Sequence, residues 1–249
     1  MYNRSIFSNL PQVTKNLIII NALIYAMTWL LGRKTGFDIA DYGGLHYFSS
    51  PLFYPFQLIT YMFIHATFMH LFMNMFALFM FGGLLERTLG SAKFLFYYVS
   101  CGLGAALIQE GVYAIMISNA ESYLTPQIID EVMRNGAGIL SQGMNYVDPS
   151  MGHFNILLNN ATVGASGAIY GILLAFGIIW PDMPLYIMFI PVPIKAKWMV
   201  AGYAGIELLL GLQNSMGDHV AHFAHLGGML IGLMMILYWK RRGKLLNRW

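Results

Sequence analysis

Three groups of polar residues stand in runs that are otherwise apolar. The first reads His65-Ala-Thr-Phe-Met-His70-Leu-Phe-Met-Asn74, and the second Gly164-Ala-Ser166-Gly167-Ala-Ile-Tyr170-Gly171. The third carries His219, His222 and His225, followed by Gly228 and Gly232. Imidazole titrates near neutral pH, so His225 is suited to take a proton from a hydroxyl and later give it to a leaving amine. Ser166 is the candidate hydroxyl. A serine in an apolar helix is commonly a packing residue, but Ser166 lies between glycines at a turn into a helix. The free N–H groups of such a turn point at a developing negative charge. The soluble-hydrolase elbow needs glycine two residues after its serine; Ala168 stands there, so that elbow is not met.

His70 and Asn74 are one helical turn apart and share a face. Both can donate hydrogen bonds to the oxyanion of a tetrahedral intermediate. Tyr170 follows Ser166 by four residues, where its ring can stack on the His225 imidazole. Glu110 and Glu207 lie within apolar runs without a motif around them, so a Ser–His dyad is expected in preference to a triad. Gly167 with Gly171, and Gly228 with Gly232, share the spacing that lets membrane helices pack closely. Packing through these faces would bring Ser166 to His225. The crowd of histidines raises a metal site as an alternative, but no HExxH pattern occurs and none is expected.

These residues need elements to position them. Of the 249 residues, 57% are hydrophobic and 10% charged, against about 25% charged in a soluble domain. That composition implies one polytopic membrane domain spanning residues 1–249. Six apolar segments are read at about 14–31, 58–81, 92–118, 163–180, 195–213 and 219–239, several shorter than the ~20 residues an ordinary bilayer requires. The first has no small-residue cleavage site after a short apolar core, so no removable signal is expected. The single Cys101 excludes an internal disulfide, and the net charge of +3 comes without basic runs of a nucleic-acid-binding kind.

Orientation follows from Lys and Arg. Eleven of them (Arg4, Lys15, Arg87, Lys93, Lys195, Lys197, Lys240, Arg241, Arg242, Lys244, Arg248) fall on one side and three (Arg33, Lys34, Arg134) on the other. Both termini are therefore expected in the cytoplasm. On the outer side, residues 32–57 form an aromatic- and glycine-rich loop suited to the headgroup zone, and His65 is expected to hydrogen-bond to it. The second outer segment, 119–162, reads as a solvated connector with a short amphipathic helix around 126–135. A part in substrate access is the minor alternative.

Together the three groups resemble the rhomboid family of intramembrane serine proteases. The family's HxxxxHxxxN pattern is met by His65, His70 and Asn74, its GxSG by Gly164, Ser166 and Gly167, and its AHxxGxxxG by Ala224, His225, Gly228 and Gly232. The run around Glu86, Arg87 and Gly90 is also similar, and the resemblance extends from the first helix to Trp239. It implies an all-α bundle of six transmembrane helices whose short fourth helix leaves a water-filled dip open to the outer side. It implies Ser166 as nucleophile, His225 as base, an oxyanion hole from the Ser166 N–H, His70 and Asn74, and support from Tyr170. Single-span membrane proteins are the implied substrates, with small residues at the scissile site and no cofactor. The family often places Trp-Arg in the first outer loop; Phe56 and Gln57 stand there in this chain. Two other readings compete: a client-binding protein of the same fold without proteolysis, and a transporter that relays protons through intramembrane histidines. The former usually lacks the serine or histidine, and the absence of inverted repeats counts against the latter. The sequence carries no reading of self-association.

Overall fold

The computed structural model describes residues 9–36, 38–186, 192–213 and 221–245, leaving His219, Arg4, Phe37, Asp218 and Arg248 outside the described residues. Among the described residues the regular secondary structure is almost entirely helical. Long apolar helices α1 (Gln12–Thr35), α6 (Ser91–Glu121) and α11 (His222–Arg241), together with a fourth helical run over Phe68–Leu89, are long and apolar enough to cross a membrane. Two further helices, α9 (Ser166–Ile179) and α10 (Ala196–Gln213), are shorter or less apolar. A minimal antiparallel hairpin, β1 (Pro184–Leu185) with β2 (Ile194–Lys195), leads into α10.

Glycine and small residues set the packing. Helix α11 lies against α6 and α9, and these three form the centre of the bundle. A Cβ at Gly228 would stand 1.8 Å from the Gly167 carbonyl oxygen, so the backbones of α9 and α11 touch with no side chain between them. Gly171 faces Cys101 of α6 and the Gly228 carbonyl, and Gly232 faces Tyr97. The Tyr97 hydroxyl donates to the Gly171 carbonyl at 2.7 Å, a satisfied polar contact where no water reaches. By contrast, α1 buries little and presents Ile19, Ile20, Leu23, Met27 and Trp29 outward, the reverse of a water-soluble helix and suited to lipid.

Helix α1 has no side-chain cap of its own, since Pro11 precedes it. Its start is capped by a carboxylate from another element. Glu86, buried within α5 (Gly83–Leu89), accepts from Val13 N at 3.0 Å, Thr14 N at 2.7 Å, the Thr14 hydroxyl at 2.8 Å and the Ser91 hydroxyl at 2.7 Å. A negative charge at a helix N-terminus is favoured by both its free N–H groups and its dipole.

Two expectations about segments change. The second apolar segment is not one helix over 58–81. Helix α3 (Gln57–Thr60) and a 3₁₀ turn (Tyr61–Phe63) end at an extended stretch, and α4 (Phe68–Ala77) begins afresh with the Thr67 hydroxyl accepting from His70 N at 3.1 Å. A π-helical turn (Leu78–Gly82) then carries α4 into α5. The segment 119–162 is more than a solvated connector with one short helix. It holds α7 (Pro126–Ser141) and α8 (Pro149–Asn159), both entered through Pro and capped by Thr125 and Asp148. Val132, Phe154, Leu157 and Leu158 close a small core with Ile117 of α6 and Tyr47 of the loop 32–57, which carries the short helix α2 (Ile39–Gly43).

Candidate active site

Ser166 is the first residue of α9, so its N–H and those of the next residues have no acceptor within the helix. Gly164, just before it, has φ +124°, a region open in practice only to glycine. Its N–H donates to the Tyr61 carbonyl at 2.9 Å, and Thr162 pairs with Leu45 of the loop 32–57. The turn into α9 is thus held from both sides. Ser166 itself is half-buried, and its Oγ lies 2.8 Å from His225 Nε2 of α11. The glycine-mediated contact of α9 with α11 brings these two side chains together. The Tyr170 ring stacks on the His225 ring with centroids 4.2 Å apart and planes 6° from parallel.

His70 reaches the same place from α4. A Cβ on Gly164 would stand 2.7 Å from His70 Nε2 and 3.7 Å from Ser166 Oγ, so His70 occupies the space beside the serine that glycine leaves. The Asn74 amide donates to the His70 carbonyl at 2.8 Å, while its Oδ1 is buried without a partner among the described residues. An amide nitrogen carries two hydrogens, and this bond uses one. His65 differs from expectation. Because the helix breaks before Thr67, the five-residue helical offset between His65 and His70 no longer holds. Their rings pack edge-on at 5.0 Å, and among the described residues neither His65 ring nitrogen finds a partner in the loop 32–57.

That loop is anchored by Gln57. Fully buried, its Nε2 donates to the Tyr42 and Leu52 carbonyls, both at 2.9 Å, and its Oε1 accepts from His46 N at 3.3 Å and Tyr54 N at 3.2 Å. Glu110 of α6 adds a contact from Phe48 N at 2.8 Å. Burial lowers the pKa of His46, outweighing the opposing pull of Gln57, so its ring stays neutral in this loop.

Sequence reasoning missed Glu207. This α10 carboxylate is buried beside the stacked rings: Oε1 accepts from the Tyr170 hydroxyl, and Oε2 lies 2.6 Å from His222 Nδ1 and 2.9 Å from His225 Nδ1. The expectation that no acidic residue reaches His225 is therefore corrected. Glu207, His222 and His225 are also the one His/Cys/Asp/Glu group among the described residues compact enough to hold a metal ion. The only signal in the sequence was a carboxylate in an apolar run, which by itself marks function without naming a partner.

The Rhomboid domain family model matches residues 53–242. A Bacillus subtilis (strain 168) protein named "Putative rhomboid protease YdcA" is 28% identical over 187 residues, covering 75% of this chain and 70% of its own length. The match takes in every helix from α3 to α11 and all the residues gathered around Ser166, and the chain is accordingly an integral, multi-pass membrane protein that belongs to the rhomboid family.

Proposed function

We propose that this protein is an intramembrane serine endopeptidase acting on single-span transmembrane proteins, with Ser166 as nucleophile and His225 as general base. The carrying observation is the 2.8 Å approach of Ser166 Oγ to His225 Nε2. In the acylation step Ser166 Oγ attacks the scissile carbonyl carbon while its proton moves to His225 Nε2. The carbonyl oxygen becomes an oxyanion facing the Ser166 N–H, with His70 and Asn74 as further donors. His225 then gives its proton to the leaving amine as the C–N bond breaks. Water, deprotonated by His225, hydrolyses the ester and restores Ser166. Tyr170 holds the imidazole in plane, and Gly164, Gly167, Gly171, Gly228 and Gly232 let the helices come close enough for the transfer.

In this reading the whole chain is one domain crossing the membrane six times, with α9 and α10 adding to the four long apolar helices. A local thinning of the bilayer suits the 14-residue α9. The substrate helix must unwind near its outer end before its carbonyl can reach Ser166, because a helical peptide bond is shielded by its own hydrogen bonds. The test is cleavage of a single-span substrate in liposomes by wild type, Ser166→Ala and His225→Ala. Cleavage by wild type alone is expected. Activity surviving in Ser166→Ala would overturn the serine mechanism.

A further inference from the structure

We infer that Glu207 is a positioning residue that fixes the tautomer and orientation of His225, turning the Ser166–His225 pair into a carboxylate-supported relay. The inference rests on the serine mechanism proposed above. Three donors converge on this one buried carboxylate. The Tyr170 hydroxyl meets Oε1, while His222 Nδ1 at 2.6 Å and His225 Nδ1 at 2.9 Å meet Oε2. They come from α9 and α11, whereas Glu207 comes from α10, so the carboxylate ties all three helices together at the site.

The protons can be placed from the chemistry. For His225 to accept from Ser166, Nε2 must be bare, and a neutral ring then carries its hydrogen on Nδ1. That hydrogen faces Glu207. The side-chain oxygens of a carboxylate offer about four lone-pair sites, enough for the tyrosine and both histidines. When Nε2 takes the serine proton, the ring becomes an imidazolium, and the charge forms beside an anion already in place. This is the role the third residue plays in soluble serine proteases, where it orients the ring without itself being protonated. The His225 Nδ1–H is not yet squarely aligned on Oε2, a looseness usual before substrate binds.

Tyr170 serves the same end twice. Its ring lies flat on the imidazole at 4.2 Å while its hydroxyl is tied to Glu207, so ring plane and carboxylate are set by one side chain. The same residues could be imagined around a metal. However, two ligands on one tetrahedral metal with bonds of about 2.0–2.2 Å lie roughly 3.3 Å apart. Contacts of 2.6 and 2.9 Å are hydrogen-bond lengths.

The experiment uses the full chain in liposomes with a single-span substrate, comparing wild type, Ser166→Ala and Glu207→Gln. Glutamine keeps the shape and removes the charge. The expected result is a fall in kcat on the order of 10²-fold with KM within about twofold, and an equal slowing of fluorophosphonate labelling at Ser166. An unchanged kcat, or a change confined to KM, would overturn the role. If wild type and Ser166→Ala behave alike and Ser166 takes no label, it is the serine mechanism that has failed instead. Should Glu207→Gln not fold, the wild type supplies the answer through ¹⁵N spectra of histidine-labelled protein, with His225 assigned by its loss in His225→Gln. Protonated Nδ1 with bare Nε2 supports the relay, and the opposite tautomer overturns it. Loss of wild-type activity to a chelator, restored by a divalent transition metal, would also overturn it and assign the three residues to a metal.

Discussion

At Gly164 two constraints meet on one α-carbon. The backbone is held at φ +124°, which costs a side-chain-bearing residue about 1–3 kcal/mol, and any Cβ would press against His70 Nε2 at 2.7 Å. The imidazole is the group that must yield, and it is the proposed oxyanion donor. Gly164→Ala should therefore displace His70 more than it unfolds the protein. A shift of about 1 Å in a catalytic group costs roughly 10²-fold in rate; we expect cleavage to fall by that much while the protein still inserts and purifies. Wild-type cleavage by the variant would show that the approach of His70 to this turn has no bearing on the chemistry. The identities of Ser166, His225, His70 and Tyr170 were legible because each is a polar or ring-bearing residue at a spacing that has a geometric meaning. Glu207 and Gln57 were not. Their partners lie on other elements, and no spacing along α10 or α3 says that a carboxylate will meet two imidazoles or that an amide will gather a loop.

Among the elements, the junction of α1 with α5 shows how a buried charge can be structural. Glu86 is 1% exposed and satisfies two backbone N–H groups and two hydroxyls. Removing it leaves the buried Thr14 N–H and hydroxyl without an acceptor, while Val13 N and the exposed Ser91 hydroxyl can turn to water. Loss of a helix cap costs about 0.5–2 kcal/mol, and stranded buried donors add about 1–3 kcal/mol. Glu86→Ala should lower the free energy of unfolding in mixed micelles accordingly, by about 2–4 kcal/mol. Its neighbour Arg87, exposed and bonded to the Asn9 carbonyl at 2.6 Å, is the control, and Arg87→Ala should cost under about 1 kcal/mol. Equal losses would mean that Glu86 does not cap α1. The long helices were readable to within a few residues because lipid imposes length and apolarity together. The break before Thr67 was not, since His65–Asn74 keeps an unbroken apolar background and only a cap betrays the new start. Helices α7 and α8 were underestimated for a related reason. Their apolar face is narrow, and it has meaning only once the two helices and Tyr47 close upon it.

For the whole molecule, the loops sort into two ends, and the contacts agree with the charges. At one end Arg87 reaches the Asn9 carbonyl and Lys93 reaches the Lys244 carbonyl at 2.8 Å, while Lys195 and Lys197 flank Asp182 and hold its carboxyl below the usual range. At the other, Leu45 pairs with Thr162 and the Ser50 hydroxyl donates to Asn159 Oδ1 at 3.1 Å. The charge bias, eleven basic residues against three, is a reading of the sequence alone, and it survives errors in any single boundary. If the basic end faces the cytoplasm, the turn into α9, and with it Ser166, faces outward, and a substrate is cut near its outer end. Cysteine labelling decides the matter, since the one native cysteine, Cys101, is fully buried and gives no background. In right-side-out vesicles a membrane-impermeant maleimide should label Gln142→Cys at once and Lys244→Cys only after permeabilisation. The reverse pattern would turn the protein over. Ser166 would then open toward the cytoplasm, and the scissile bond would have to be sought at the inner end of the substrate helix, with the Ser166–His225 geometry untouched.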